Sequence, residues 1–213
     1  MERTMIDRRS VLLLGSGFAT GFAATRVMAA EPAGRVTTLT GTARASIANV
    51  ERTLAAGNDI GVGDLVQTDA GSRLGLMLGK DTRIMLGPST RLLIESHLVD
   101  AGGQFELVEG SMYFEHTRPR GTTPKKADVR SPYGLIAVRG TKFFAGFSEG
   151  RFGVFVAEGR VDVTAAQRTV VVHPGFGTEI AQPGAAPEPV RVWPAARVRK
   201  SLLLTTGRTD VPK

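Results

Sequence analysis

The sequence contains no cysteine among its 213 residues. This absence excludes disulfides, thiolate metal ligands, cysteine nucleophiles and a lipid-anchored cysteine at a cleavage site. Aromatic residues are also scarce, with ten Phe, two Tyr and one Trp, whereas glycine is abundant at 26 residues. Frequent glycine with few bulky side chains indicates many chain reversals, which favours β structure.

Residues suited to catalysis are few. The three histidines, His97, His116 and His173, show no metal-ligand spacing. Ser111 follows a glycine but lacks the strand-turn-helix context of a nucleophile elbow. A carboxylate pair of the kind that glycosidases use stays open for Glu109 and Glu115. We therefore predict that the protein is not an enzyme and has no catalytic residue, no metal site and no cofactor.

Long apolar stretches are missing, apart from a short one near the N-terminus. Arg8 and Arg9 precede an apolar stretch of 14 residues at 11–24, and small residues follow at Ala29 and Ala30. A helix that spans a bilayer needs about 20 apolar residues, so this layout predicts a cleavable export signal over 1–29 and a periplasmic protein. The paired arginines resemble a twin-arginine signal. General secretion and an amphipathic first helix are the alternatives.

The net charge of +7 is concentrated at the two ends of the chain. Residues 30–184 hold 17 basic and 16 acidic residues, whereas residues 185–213 hold six and two. A nearly neutral body does not support a stripe that binds nucleic acid.

Short apolar stretches alternate with turn residues every eight to twelve positions from residue 34 to about 180. This is the pattern of short β-strands, which bury their apolar faces only when they stack. The sequence therefore predicts an all-β domain over 30–181, with short strands in a twisted β-solenoid-like coil or in a sandwich or barrel. Residues 49–56 are predicted as a helical turn or a loop. Three stretches share a hydroxyl residue, an arginine and an apolar residue: Ser72-Arg73-Leu74, Thr82-Arg83-Ile84 and Thr90-Arg91-Leu92.

Two Glu-Gly steps, at 109–110 and 158–159, separate alternating stretches and predict tight reversals or bulges. Residues 116–128 are polar and basic and predict an exposed loop. A Pro/Ala/Gly-rich stretch begins at residue 182, so 182–213 is predicted as a linker and a basic C-terminal tail. This tail packs back on the domain, is partly disordered or acts as a docking segment.

The most specific motif is a strand that enters through Ser131-Pro132 and ends in Val138-Arg139-Gly140-Thr141. This motif resembles the signature of the FecR-domain family, in which a Thr/Ser-Pro step precedes Val-Arg-Gly-Thr. Gly63-Asp64 and Thr68 match the Gly-Asp, apolar, Thr segment of that family, and the ordered motifs extend the resemblance over about 35–180. The candidate site residues are these signature residues, which we interpret as mainly structural: Val138, Arg139, Gly140, Thr141, Gly63, Asp64, Thr68, Ser131 and Pro132.

The side chains of the signature suggest how it is held together. Gly140 suits a bulge or a close backbone approach. Arg139 can donate to backbone carbonyls or to a carboxylate such as Asp64. Thr141 can cap a turn through its hydroxyl.

The resemblance implies a role in periplasmic signalling. Family members that regulate iron uptake carry a cytoplasmic anti-sigma segment and a transmembrane helix before this domain. Because the domain here follows a predicted export signal, we expect a standalone module with no transmembrane helix in the mature chain. We expect it to bind an envelope protein, by strand addition at an open sheet edge or through the 116–128 loop. The alternative is an envelope structural module or one that binds polysaccharide.

Overall fold

Two nine-stranded β-sheets make up most of the protein. The computed structural model describes residues 32–98, 102–116 and 126–211, so the predicted export signal and most of the predicted 116–128 loop lie outside the described residues. Sheet A consists, in spatial order, of β18 (Arg191–Val192), β17 (Phe176–Ile180), β14 (Arg151–Glu158), β13 (Lys142–Ser148), β10 (Ser111–His116), β7 (Thr82–Leu86), β6 (Arg73–Leu78), β1 (Pro32–Thr40) and β4 (Asp59–Gly61). Sheet B consists of β16 (Arg168–Val172), β15 (Val161–Ala165), β12 (Gly134–Arg139), β11 (Lys126–Ser131), β9 (Gly102–Glu109), β8 (Arg91–Leu98), β5 (Leu65–Thr68), β2 (Ala43–Ile47) and β3 (Val50–Thr53).

The chain builds both sheets at once by crossing between them. Hairpins alternate from sheet to sheet, as in β6–β7 of sheet A followed by β8–β9 of sheet B. Strand order in each sheet follows chain order apart from the first few strands, and the pairs are antiparallel except for the parallel pair β9–β11. The predicted all-β fold is confirmed. It is a sandwich whose strands are added progressively, as in a solenoid.

The alternation of each strand directs one set of side chains into the space between the sheets. In β7, Thr82, Ile84 and Leu86 are buried while the two residues between them are only partly so. The core between the sheets includes Phe114 and Phe143, whose ring centres lie 5.2 Å apart. Full burial of such a side chain stabilises a fold by about 1.5–3 kcal/mol. The three repeated Ser/Thr-Arg-apolar stretches lie at the starts of β6, β7 and β8.

The two Glu-Gly steps are corners between the sheets and not reversals within one sheet. Gly110 links β9 of sheet B to β10 of sheet A, and Gly159 links β14 of sheet A to β15 of sheet B. Their φ angles are +88° and +83°. A Cβ atom at Gly110 would lie 2.5 Å from the Cα of Thr90, so the corner requires glycine for its space as well as for its φ angle.

The predicted helical turn or loop at 49–56 is wrong, because residues 50–53 form β3. Ala48 and Asn49 both have positive φ angles, 47° and 65°, as the two central residues of a type I′ turn require. The sequence lacks the Asn-Gly pair that usually marks this turn. The hairpin β2–β3 was therefore not recognisable as one.

The C-terminal segment adds a third layer. Helix α1 (Ala195–Thr206) contacts β6, β7, β10 and β13 on the face of sheet A that points away from sheet B. A second apolar cluster forms there, with Tyr113, Phe144, Phe155, Trp193 and Leu202. The domain boundary near residue 181 stays a prediction. No helix in the described ranges has the length and apolarity needed to cross a bilayer.

Candidate interaction surfaces

Gly63 and Asp64 form a corner between β4 and β5, in which Gly63 is exposed and Asp64 is buried. Gly63 has a φ angle of +87° and donates its backbone N–H to Ile94 at 2.7 Å. The Asp64 side chain is fully buried and accepts two hydrogen bonds from Arg52, at 2.8 and 2.6 Å, and one from the backbone N–H of Gly61 at 2.7 Å. Arg52 therefore makes the bidentate contact with Asp64 that the sequence analysis had suggested for Arg139. The side chain of Arg139 lies outside the described part of the structure.

Thr68 belongs to a ladder of buried hydroxyls that ties neighbouring corners together. Its Oγ1 donates to the carbonyl of Gly87 at 2.7 Å and accepts from the backbone N–H of Thr90 at 3.0 Å. The Oγ1 of Thr90 in turn accepts from the backbone N–H of Ser111 at 3.0 Å. Buried backbone N–H groups without a partner destabilise a fold. Where the chain crosses from one sheet to the other, the backbone N–H groups of Thr90 and Ser111 bind these hydroxyls.

The remaining signature residues lie at two different ends of β12. Ser131 and Pro132 form the turn before it, where Ser131 Oγ donates to the carbonyl of Gly134 at 3.1 Å. Val138 is buried near its end, and Gly140, with a φ angle of +60°, leads through the buried Thr141 into β13. The signature residues therefore do not converge on one pocket. Each one described lies at or beside a link between strands, and their structural role stays a prediction.

The described residues contain no group of three or more His, Cys, Asp or Glu side chains that could hold a metal ion. Glu109 is exposed beside Arg91, at 3.8 Å, whereas Glu115 is buried beside Arg83 and Lys142, at 3.4 and 3.3 Å. Glu109 ends β9 whereas Glu115 lies near the end of β10, and the two acids have different ion-pair partners.

A buried carboxylate that the sequence did not single out lies under the C-terminal segment. Glu179 of β17 is 2% exposed and accepts hydrogen bonds from Arg151 at 2.7 Å, from Arg191 at 2.9 Å and from Arg197. Burial alone would raise the pKa of Glu179, but the hydrogen bonds from Arg197, Arg151 and Arg191 lower it to about 2. Glu179 therefore carries a full negative charge at neutral pH and anchors the segment.

Trp193 fills a slot between two glycines of sheet A. A Cβ atom at Gly153 would lie 2.7 Å from Cζ2 of Trp193, and one at Gly177 would overlap its indole nitrogen. The guanidinium of Arg197 lies 3.7 Å from the centre of the Trp193 ring, and Phe155 stacks on it at 5.5 Å. The sequence holds a single tryptophan, and glycines lie two residues from Phe155 and one residue after Phe176 in the strands that it contacts. These residues were the signal in the sequence that could have located this site.

The four edge strands of the two sheets differ in length and charge. In sheet A, β4 has three residues and β18 has two. In sheet B, β3 has four, with Glu51 and Arg52 at its centre, whereas β16 has five with the sequence Arg-Thr-Val-Val-Val. Short or charged edges resist pairing with another chain. Of these edges, β16 is the one suited to accept a further strand.

The sequence profile of the family described as FecR protein matches residues 64–162. The chain carries a FecR domain. This match lies within the 35–180 resemblance and includes most of the signature, from Asp64 to Thr141. No curated protein matches the chain.

Solved structures share the fold of the FecR domain described here. One crystal structure of a candidate anti-sigma factor from Parabacteroides distasonis ATCC 8503, at 2.50 Å, is 17% identical over 66% of this chain and 63% of its own, with a TM-score of 0.53. A second from the same organism, at 1.65 Å, is 16% identical over 67% of this chain and 74% of its own, with a TM-score of 0.50. The chain thus spans less than two thirds of the first structure. None of these comparisons supports binding to polysaccharide.

Proposed function

We propose that the protein is an exported, non-enzymatic interaction module of a periplasmic signalling system, and that it binds an extended segment of a partner protein along β16. The FecR domain and the likeness to proteins described as candidate anti-sigma factors support a regulatory role. The open edge of β16 is the observation that carries the mode of binding.

The register of β16 determines which of its backbone groups face a partner. Ala166 and Gln167 have positive φ angles, 45° and 61°, and form a two-residue turn between β15 and β16. In such a hairpin the residues that flank the turn are hydrogen-bonded to each other, and bonded and non-bonded pairs then alternate. Because Ala165 pairs with Arg168, the N–H and C=O groups of Thr169 and Val171 point away from β15. Four backbone groups are thus directed at the free edge.

The side chains of this edge favour an apolar or β-branched partner strand. Val171 is 40% exposed, and no charged residue lies between Thr169 and Val172. Main-chain hydrogen bonds supply affinity in strand addition, and alternate side chains supply specificity. Arg168 at the start of the strand favours an acidic residue at the corresponding position of the partner.

A photo-crosslinking amino acid at residue 169, introduced in intact cells, tests the proposal. We expect a specific protein adduct, and we expect Val171→Pro to abolish it, because proline removes a partner-facing N–H while an edge strand tolerates it. Val171→Ala keeps that N–H and should retain the adduct. A crosslinker at Thr53 on the opposite edge of sheet B is the positional control. Equal adducts from both edges, or an adduct that persists in Val171→Pro, would contradict binding along β16.

A further inference from the structure

The packing of α1 on sheet A departs from that of an ordinary surface helix. Arg197, Ser201 and Thr205 face the sheet and are buried, whereas Leu203 and Leu204 are exposed. A helix that belongs to a core usually shows the opposite arrangement, with an apolar stripe facing inward. The N-terminus of the helix has no side-chain cap and no acidic residue in its first turn. Residues 193–206, which we call the cover segment, are held by Trp193 and Leu202 in the apolar cluster and by the polar contacts of the buried face of α1.

The face of sheet A beneath the cover segment has features of a recognition site. Tyr113, Phe144 and Phe155 provide an aromatic floor beside the slot of Gly153 and Gly177. The buried Glu179 lies next to this slot and receives a guanidinium from Arg197. Aromatic and arginine side chains that enter fully desolvated pockets supply most of the binding energy at protein interfaces. The face thus accepts a ring that lies just before a helix and a guanidinium in the first turn of that helix, four residues later.

The cover segment occupies this face incompletely. The hydroxyl of Tyr113 and the indole N–H of Trp193 are buried and have no hydrogen-bond partner among the described residues. Burial raises the pKa of Tyr113, and Glu115 and Glu158 raise it further, so the hydroxyl remains a donor that lacks an acceptor. An unsatisfied buried donor costs stability.

The face also continues past the end of α1, which stops at Gly207 with a left-handed φ angle of 72°. A groove of about 310 Å³ follows there between the helix end and strands β1, β6 and β7. Its lining consists of Thr37, Thr38, Gly75, Arg83, Met85, Thr206 and Arg208. A helix longer than α1 would fill this groove.

We propose that this face of sheet A is a binding site for a segment of a partner protein that carries a tryptophan just before a helix and an arginine in the first turn of that helix, and that the cover segment is its built-in competitor. This site lies on the other sheet from β16, and the proposal does not rest on strand addition there. A tethered competitor acts at an effective concentration of millimolar order. A partner must therefore bind this face more tightly than the cover segment does. A longer helix can do so by filling the open groove and by accepting a hydrogen bond from the Tyr113 hydroxyl.

A synthetic peptide of residues 188–208 tests the recognition chemistry. The full chain with Trp193→Ala and Arg197→Ala weakens the cover segment but keeps Glu179 and the aromatic floor, and it contains no tryptophan because Trp193 is the only one. The peptide then supplies the sole tryptophan fluorescence. We expect its emission to shift to the blue and to become protected from acrylamide when the peptide binds this variant. The wild-type chain, whose face is occupied, should bind the peptide at least about tenfold more weakly, because its own segment competes.

Two variant peptides distinguish specific recognition from non-specific binding. A peptide with Arg197→Ala should bind at least about tenfold more weakly, since it loses a charge-assisted hydrogen bond to a buried carboxylate. A peptide with Arg199→Ala should bind like the original, because Arg199 is exposed on α1. Equal affinities of the two variant peptides, or peptide emission that stays unshifted, would overturn the proposal. So would a wild-type chain that forms dimers by exchanging cover segments, since a second copy would then be the occupant.

Hydrogen exchange on the wild-type chain keeps the proposal testable if the double variant does not fold. A displaceable cover segment must open while the sandwich stays folded. We expect backbone amides of 195–206 to exchange at least tenfold faster than those of β13 directly beneath them. Exchange of both elements only through global unfolding would overturn the role of the segment as a competitor.

Discussion

Replacement of Glu179 by glutamine perturbs the contact that holds the C-terminal segment to the sandwich. The carboxylate is 2% exposed and binds three arginines, so the neutral amide leaves the buried Arg197 without its carboxylate partner, whereas Arg151 and Arg191 keep Glu188. The pKa of Glu179 is lowered from 4.5 to about 2. A shift of this size corresponds to about 3 kcal/mol of stability at neutral pH. For a chain of this length we expect Glu179→Gln to lower the melting temperature by about 6–12 °C.

The same shift fixes the pH dependence. Since the pKa of Glu179 in the folded state lies below its ordinary value, its contribution is complete above pH 4.5 and is lost as the pH falls from 4.5 to about 2. Wild type should therefore lose stability over this window more steeply than Glu179→Gln. Thermal unfolding at neutral pH measures the first effect, and urea unfolding at several pH values, followed by far-UV circular dichroism and by Trp193 fluorescence, measures the second.

Glu149→Gln is the matched control, because Glu149 is exposed and contacts the same helix through Lys200 at 3.5 Å. Exposed pairs contribute about 0–1 kcal/mol, so this variant should behave nearly as wild type. The reasoning would be refuted if the two variants were equally stable at neutral pH, or if their acid profiles coincided.

Three further substitutions probe the corners of the sandwich. Gly140→Val places a β-branched residue at a φ angle of +60° and should lower the melting temperature by several degrees. Asp64→Asn removes the charge that binds the half-exposed Arg52 and should cost about 1–3 kcal/mol in urea unfolding. Thr68→Val leaves the backbone N–H of Thr90 without its acceptor and should cost about 1–3 kcal/mol by the same measurement.

Each of these variants has a counterpart that lacks the proposed effect. Gly140→Asn is the counterpart of Gly140→Val, because asparagine tolerates a left-handed φ angle that a β-branched residue does not. Asp59→Asn and Thr40→Val lie at exposed positions, where substitutions usually change stability by less than about 0.5 kcal/mol. If a corner variant were no less stable than its counterpart, the corresponding corner contact would not stabilise the fold.

The sequence predicted the β class because several strands keep a strict alternation, as β5, β7 and β15 do. The positions of the glycines in the sequence also predicted where the chain turns, because glycine tolerates the positive φ angles found there. The crossing of the Glu-Gly steps from sheet to sheet was not predictable, because the choice between a reversal and a corner depends on the packing of the other sheet. Helix α1 escaped prediction for a related reason. Of its four buried residues, Arg197, Ser201 and Thr205 are polar and only Leu202 is apolar, so the sequence shows no apolar stripe.

The two proposed surfaces are close in sequence and lie on different sheets. From β16 the chain passes through His173, Pro174 and Gly175 into β17, which carries Glu179. The carbonyl of Gly175 accepts the backbone N–H of Trp193 at 3.4 Å, so this turn links the edge to the cover segment. A single long hydrogen bond transmits little energy, and sites without shared partners act additively. Val171→Pro should therefore leave the emission of Trp193 unchanged, and Glu179→Gln should leave crosslinking from residue 169 unchanged. If either substitution altered the other surface, residues 173–175 would couple the two, and a partner on β16 would control access to sheet A.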